Sequence, residues 1–439
     1  MARSAIYPPS VQPGKPRLGF PPRGWCTVTF SDLFEVIERP AVLNDSKEYQ
    51  LITAKRSRGG IVPRERLRGK DILTKTQFYV SEGDFLISNR QIIHGGCGIV
   101  PPALDGAIVS NEYTVLRPRP ILRPDFLSYL PHSIYFQQTC FHASVGVDVE
   151  KMVFDADQWS TFRIHLPPIS EQEAIAEILL GVDDAIRAML AVIEQTRKVK
   201  QGVLDRLLTK GIRHSRFKQT ELGEIPEAWE VVTLSRVVST LDAGVSVNSE
   251  SRKKKGDELG ILKTSSVSYG VFRSDEHKAV LPDELERVRT PVKADRILIS
   301  RMNTPSLVGA SVYVDQDYPD LFLPDRLWQL DVEDRSQVNV RWLAQLLAWE
   351  NTRERISSLA SGTSGSMKNI PKSRLLEMKI PLPSIHEQQK QALIISEFEG
   401  EDARAVQEMH KLQAVKSALL SALLTGRKRV TADALSPAL

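Results

Sequence analysis

Between Lys55 and Lys75 the chain carries eight basic residues (Lys55, Arg56, Arg58, Arg64, Arg66, Arg68, Lys70 and Lys75) against two acidic ones, Glu65 and Asp71. Cations at that density suit a polyanion: arginine and lysine anchor phosphates, and an arginine in the major groove can bind guanine O6 and N7 together. Lys55, Arg56, Arg58, Arg64, Arg66, Arg68 and Lys70 are therefore candidate DNA contacts, against the plainer reading of a solvated loop. A second run, Arg252, Lys253, Lys254 and Lys255, occupies a comparable early position in the other half of the chain, and the two patches look related. Four adjacent charges cannot all reach base edges, so this run reads as a phosphate contact. Arg301, Asn303 and Thr304 follow the strand-like run Ile297–Ser300 and could face a groove, unless they only make a turn. Ser364, Ser366, Lys368 and Asn369 lie on the glycine- and serine-rich stretch 362–369. Small residues there allow close backbone approach and asparagine can pair bidentately with adenine, a plain linker being the alternative.

Catalytic patterns are missing. A methylase should show a glycine-rich S-adenosylmethionine loop and an N-P-P-[FY] or D-P-P-Y tetrapeptide, and an ATP-driven translocase should show G-x-x-x-x-G-K-[ST]; the chain has none of them. No H-E-x-x-H occurs, the eight histidines show no metal spacing, and the three cysteines (Cys26, Cys97 and Cys140) are far apart with no CxxC pair. Neither a catalytic nor a metal site is expected. A nuclease built from Asp325 with Glu377 and Lys379 is a weak alternative, since such triplets arise by chance.

The elements that would position these residues are written twice. Leu18-Gly19-x-x-Pro22-x-x-Trp25-x-x-Val28-Thr29 recurs as Leu222-Gly223-x-x-Pro226-x-x-Trp229-x-x-Val232-Thr233, and Asp84–Ser88 resembles Asp295–Ser300. Leu166-Pro167-Pro168-Ile169-x-Glu171-Gln172 returns as Leu382-Pro383-Ser384-Ile385-x-Glu387-Gln388, and Leu207-Leu208-Thr209 as Leu423-Leu424-Thr425. Each copy is a globular segment, a proline-rich stop and a long helix. Ser170 with Glu173 has the spacing of a capping box. Apolar residues then recur every three or four positions, among them Ile175, Ile178, Val182, Ile186 and Met189, up to a stop at Gly211. The second helix carries Ile394, Phe398, Met409, Leu412 and Leu419, with Glu399, Glu401 and Asp402 interrupting its stripe, and ends near Gly426. A helix of about 35 residues is roughly 50 Å long and must bury its stripe on something of equal length. The other helix is the obvious partner, giving an antiparallel coiled coil with a globular unit at each end and approximate two-fold symmetry. Outer apolar flanks would remain for added partner helices.

The globular segments read as mixed α and β: runs at Ile297–Ser300, Val308–Val314 and Leu327–Val332, then a helical stretch from Asn339 to Leu359. Trp25 and Trp229 read as core. A length of 439 residues predicts two or three cores, and 41% hydrophobic with 26% charged residues is ordinary for a soluble protein. The formal charge of +4 permits a polyanion partner without demanding one. With no apolar run of membrane-spanning or signal-peptide length, the chain is expected in the cytoplasm, with no membrane partner.

At LPPISEQ and GEIPEAW, the chain resembles the specificity subunits of type I restriction-modification systems, over nearly its whole length. The second half carries the resemblance best, through TELGEIPEAWEVVTL, ISRMNTPSLVGASVYV, LPDRLWQLDV and SGTSGSMKNIPKSRLLEMKIPLPSIHEQ; the first half has HASVGVDVEKMVF in place of the SGTSGSMKNI loop. The resemblance implies an α/β (mixed α+β) fold. Residues 1–168 would form one target-recognition domain, 169–211 a central long helix, 212–384 a second recognition domain, 385–430 a distal long helix and 431–439 a tail. It implies that each globular domain reads one half of a split, asymmetric DNA target and that the paired helices set the spacing of the halves. Two methylase subunits would dock on the helices, with restriction/translocase subunits beyond them. S-adenosylmethionine, ATP and Mg²⁺ would then belong to those partners, none being bound by this chain. A coiled-coil adaptor of proteins alone, or a stand-alone nuclease, are the rival readings.

Overall fold

The structure, a computed structural model, describes residues 11, 14, 16–268, 270–361 and 367–430. The chain divides into two compact units, Met1–Leu190 with Gln407–Leu439, and Ala191–Val406. Each therefore contains a globular part and a portion of both long helices. Among the described residues, no helix is long and apolar enough to cross a membrane.

The long helices span Ile169–Lys210, 42 residues, and Ile385–Leu423, 39 residues. The distal helix thus stops short of residue 430. Gly211 and Gly426, both at φ +67°, end them in the left-handed region that favours glycine. The expected capping box is not formed, because Ser170 already lies inside the first helix and Glu173 pairs with Arg123 at 3.3 Å. At the second helix the cap is two residues earlier, where Ser384 Oγ accepts the amide of Glu387 at 3.3 Å. Pro168 stands in that place in the first helix and has no side-chain oxygen to offer.

Within the second unit the helices run antiparallel: Arg197 pairs with Asp402 at 2.8 Å, Lys200 with Glu399 at 3.5 Å, and Gln391 Nε2 donates to the carbonyl of Leu207 at 3.0 Å. The acidic break in the second stripe is thus the partner of two cations on the first helix. In the first unit Lys416 pairs with Asp183 at 2.5 Å, and Tyr129 Oη donates to the same carboxylate at 3.0 Å.

The two units repeat one sheet topology. Phe34–Val36, Tyr113–Pro118, Phe85–Ser88 and Cys97–Ile99 form a four-stranded sheet in that order, as do Val238–Ala243, Leu327–Val332, Arg296–Ser300 and Ser311–Val314. A five-stranded sheet accompanies each, with one parallel pair inside it: Glu48–Ala54 beside Ile108–Ser110, and Gly260–Leu262 beside Tyr318–Phe322. Outside that pair, Ile61–Arg68 of the first unit corresponds to His277–Val280 of the second. Val308–Val314 contributes a strand only from Ser311, and the stretch 339–359 is two helices, Val340–Ala348 and Glu350–Ser358, broken at Trp349.

The repeated motifs are the fastenings of each unit. The amide of Trp25 donates to Pro22 and that of Trp229 to Pro226, both at 3.0 Å, which is what the P-x-x-W spacing builds. The indole of Trp25 then donates to Glu171 at 2.9 Å, and that of Trp229 to Glu387 at 3.0 Å. Gln172 Oε1 accepts the amide of Arg123, and Gln388 Oε1 that of Asn339, each at 2.9 Å and each at the foot of a short helix. Around these, Phe30 stacks on Trp159 with centroids 4.0 Å apart in the first core, while Trp342, Ile297 and Leu330 are fully buried in the second.

Burial pushes the His132 imidazole down to about 4, with Arg58 and Lys416 adding to the shift and Asp183 opposing it. An unfolded histidine titrates near 6.5, so between pH about 6.5 and 4 the unfolded chain binds a proton that the folded first unit refuses. Stability contributed by neutral His132 is therefore complete above pH 6.5 and declines as the pH falls through that window. Thermal unfolding at pH 7 and pH 5 should show a smaller drop in Tm for His132→Gln than for the wild type; equal drops would remove His132 as the cause.

Candidate nucleic-acid interface

In the second unit the strand Arg296–Ser300, buried from Ile297 onward, delivers Arg301 to the surface. The amide of Arg301 donates to Arg326 at 3.0 Å, and its carbonyl accepts the amide of Ile370 at 2.9 Å. The next two residues, Met302 and Asn303, pair antiparallel with Asn369 and Lys368. This ladder brings together Arg301, Asn303, Lys368 and Asn369, which the sequence placed in separate segments. Arg301 Nε donates to Asn369 Oδ1 at 3.4 Å, and its guanidinium lies 5.3 Å from the centroid of the Trp328 ring, a cation–π arrangement. It makes no ion pair with the described residues, so its charge and most of its donors are uncommitted. A cleft of about 520 Å³ opens beside it, lined also by Asp242, Thr290, Pro371 and Lys372. Trp328, Asp242, Thr290 and Lys372 had no local signal marking them as site residues, although Trp328 lies within the LPDRLWQLDV motif.

Asn303 and Thr304 serve the turn: Asn303 Oδ1 accepts the amide of Thr304 at 2.9 Å while its Nδ2 donates to Ser300 Oγ at 3.2 Å. Ser364 and Ser366 lie outside the described residues. The weak nuclease triplet loses its lysine, since Lys379 pairs with Glu221 at 2.6 Å.

The first basic run is not a loop throughout. Arg66 and Arg68 share one face of the strand Ile61–Arg68, which forms the edge of its sheet, while a register shift between Pro63 and Arg66 separates Arg64 from that alternation; all three are exposed. Arg66 Nε donates to Gln50 Oε1 at 2.9 Å and Arg64 pairs with Glu65 at 3.1 Å, while Lys55, Arg68 and Lys70 are exposed without an ion pair among the described residues. Arg56 is used internally, on Gln91 at 2.7 Å and near Glu150 at 3.8 Å. Arg58 is half-buried, and burial lowers its pKa.

The second run differs in both place and state. Arg252–Lys255 precedes Gly260–Leu262, the counterpart of Glu48–Ala54, whereas the first run follows that strand; the two patches are not equivalent. Three of its four cations are also paired: Arg252 with Glu250 and Glu258, Lys253 with Asp275 at 3.1 Å, and Lys254 with Asp320. The hydrogen bond from Arg252 holds the Glu258 carboxyl down at about 2, helped by the amide of Lys255. Of the four, Lys255 keeps its charge most available.

The model of the type I restriction modification DNA specificity domain matches residues 22–195 and 226–414, one match on each repeat. The chain belongs to that family. It is 27% identical over 429 residues to the type I restriction enzyme MjaVIII specificity subunit of Methanocaldococcus jannaschii, covering 93% of this chain and 94% of that one. To the putative MjaX specificity subunit of the same organism it is 26% identical over 433 residues, covering 95% and 96%. The fold is similar to a chain solved in a study of complex assembly and conformational transition of the type I R-M system, with TM-score 0.60, 18% identity and coverage of 93% and 100%. It is also similar to the type I restriction-modification S subunit from M. genitalium, with TM-score 0.52, 15% identity and coverage of 93% and 99%.

As a specificity subunit the chain is the recognition part of its system and not the catalytic one, which makes the free faces of its helices of interest. Ile175 is fully buried inside the first core, and Ile178, Leu419 and Ile394 pack against the cores of their own units. Val182, Ile186, Met189, Phe398, Met409 and Leu412 are half-buried. Of the ten positions named for partner binding, four are thus packed into or against the chain's own cores and six keep part of their surface exposed. The large apolar residues that remain exposed on the long helices are Ile169, Leu180, Leu190, Val192 and Val199 on the first, and Leu393 and Val415 on the second.

Proposed function

We propose that the second unit reads one half of a bipartite, asymmetric double-stranded DNA target through the Arg301 cleft, and that the first unit reads the other half. One observation carries this reading: the short ladder of Met302 and Asn303 on Asn369 and Lys368 sets Arg301 and Asn369 beside a cleft, and the guanidinium has no acidic partner among the described residues. A guanidinium stacked on Trp328 is oriented and retains donors, which suits bidentate recognition of guanine. Lys368 and Lys372 suit phosphates. Two methylase subunits would bind the exposed apolar positions on the helices, with restriction/translocase subunits joining them, and S-adenosylmethionine, ATP and Mg²⁺ would be bound by those partners.

The test is selection from a pool of randomised duplexes by the full chain together with its methylase subunits, followed by sequencing. Wild type should enrich two short half-sites at a fixed separation. Arg301→Ala should lose discrimination at one guanine of one half-site by about 5- to 150-fold, the worth of a good bidentate contact. Enrichment of no sequence, as a protein-only adaptor would give, or an Arg301→Ala pool identical to wild type, overturns the reading.

A further inference from the structure

We propose that Asn89 is the base-reading residue of the first unit, taking the adenine of an A·T pair at the position that Arg301 holds in the second; this rests on the reading of Arg301 just given. The equivalence comes from the backbone. The amide of Asn89 donates to Glu112 at 2.9 Å and that of Arg301 to Arg326 at 3.0 Å; the carbonyl of Asn89 accepts Phe154 at 2.8 Å and that of Arg301 accepts Ile370 at 2.9 Å. The residue before each is also matched, with Ser88 donating to Gly96 and Ser300 to Ala310, both at 2.8 Å. Across the sheet, Thr114 lies opposite Ile87 as Trp328 lies opposite Ile299. Thr114 is therefore to Asn89 what Trp328 is to Arg301.

The segment HASVGVDVEKMVF shares no pattern with SGTSGSMKNI, yet its ends meet Asn89 as Ser361, Asn369 and Ile370 meet Arg301. Ser144–Val145 pairs with Val153–Phe154 in a hairpin that closes on Asn89, just as the bridge between Ser361 and Asn369 leads to the bond on Arg301.

The chemistry differs between the two positions. A side-chain amide has two acceptor lone pairs and two N–H donors. Thr114 Oγ1 donates to Asn89 Oδ1 at 2.8 Å, and Asn89 Nδ2 reaches the carbonyl of Asn111 at 3.4 Å. One lone pair of Oδ1 and one N–H of Nδ2 are left uncommitted on a half-buried amide that Thr114 orients. That pair matches the N6 and N7 edge of adenine, whereas the donors of Arg301 match guanine. The hairpin closing on Asn89 exposes Val145, Val147 and Val153, apolar surface of the kind that meets a thymine methyl group. The two units thus share one scaffold and differ in the base pair they accept.

The randomised-duplex selection separates this proposal from the reading it rests on. Asn89→Ala should relax one A·T position by about 5- to 150-fold, in the half-site that Arg301→Ala leaves intact. Asn89→Asp keeps the size and the acceptor for Thr114 but offers no donor, and should move the preference at that position from adenine to cytosine, whose N4 amine a carboxylate accepts. The aspartate variant carries the test if the alanine variant fails to fold. If both Asn89 pools match wild type while Arg301→Ala relaxes its own half-site, Asn89 only ties the turn and the inference falls. If the Arg301→Ala pool is unchanged as well, it is the underlying reading that fails.

Discussion

Asp84→Ala is expected to destabilise the first unit by about 3–5 kcal/mol, the range for removing one partner of a buried ion pair. The Asp84 side chain is fully buried and holds two arginines at once: Arg39 Nη1 at 2.7 Å, and Arg117 through Nε at 2.9 Å and Nη2 at 2.7 Å. It also accepts the amide of Ser81 at 2.8 Å. Alanine would leave two guanidinium groups without a counterion and an amide without its acceptor. Arg39 and Arg117 are 29% and 44% exposed, so water partly replaces the carboxylate and the lower end of the range applies. In the second unit the matching positions are occupied with reversed polarity, Arg296 pairing with Asp331 at 2.7 Å. Both of those side chains keep contact with solvent, so Arg296→Ala should cost less than Asp84→Ala. Urea unfolding followed by tryptophan fluorescence measures both, and equal midpoints for wild type and Asp84→Ala would refute the assignment.

The second large effect concerns the edge-strand arginines. If Arg64, Arg66 and Arg68 each neutralise a phosphate, replacing all three by alanine should reduce the slope of log affinity against log salt by about 2.7, since each neutralised phosphate contributes roughly 0.9. Charged side chains on an edge strand have another use, which is to prevent the strand from pairing with a neighbouring molecule. That role would leave the salt slope unaltered and make the triple variant aggregate. Affinity for one duplex at several salt concentrations, with light scattering on the same samples, distinguishes the two. Arg56 and Arg58 are left out because one is bound to Gln91 and the other is half-buried.

Much of the architecture was legible because the repeated residues are those that fasten it. Trp25 and Trp229, Glu171 and Glu387, and Gln172 and Gln388 recur since each makes the same bond in its own unit. The long helices were visible in their apolar spacing and in the glycines that end them. Their caps were misread in the first copy, where Ser170 has the right spacing but stands two residues too late. The site was harder to see. The ladder joining Met302 and Asn303 to Lys368 and Asn369 is two residues long and spans the rest of the unit, so no local pattern announces it. The acids that pair with Lys253 and Lys254, Asp275 and Asp320, are likewise remote in sequence, which is why that run looked like free charge. The repeat of Asp84–Ser88 as Asp295–Ser300 placed Asn89 level with Arg301, but the side chains share nothing, and only the backbone hydrogen bonds show that the two positions are equivalent.

The carboxylate fastening has a counterpart at the far end of the chain. In the second unit Glu387 accepts the amide of Ile212 at 2.9 Å and lies 3.0 Å from the ring of His214, residues that run on directly toward Trp229. In the first unit Glu171 holds Arg429 at 2.7 Å and the amide of Val430 at 3.4 Å, and Arg429 reaches back to the carbonyl of Arg23. Position 430 and position 23 are therefore neighbours where 214 and 227 are joined by polypeptide. Because the whole of the second unit, Ala191–Val406, lies between Glu171 and Arg429 in the sequence, the first unit can complete its own fastening only after the second has been synthesised.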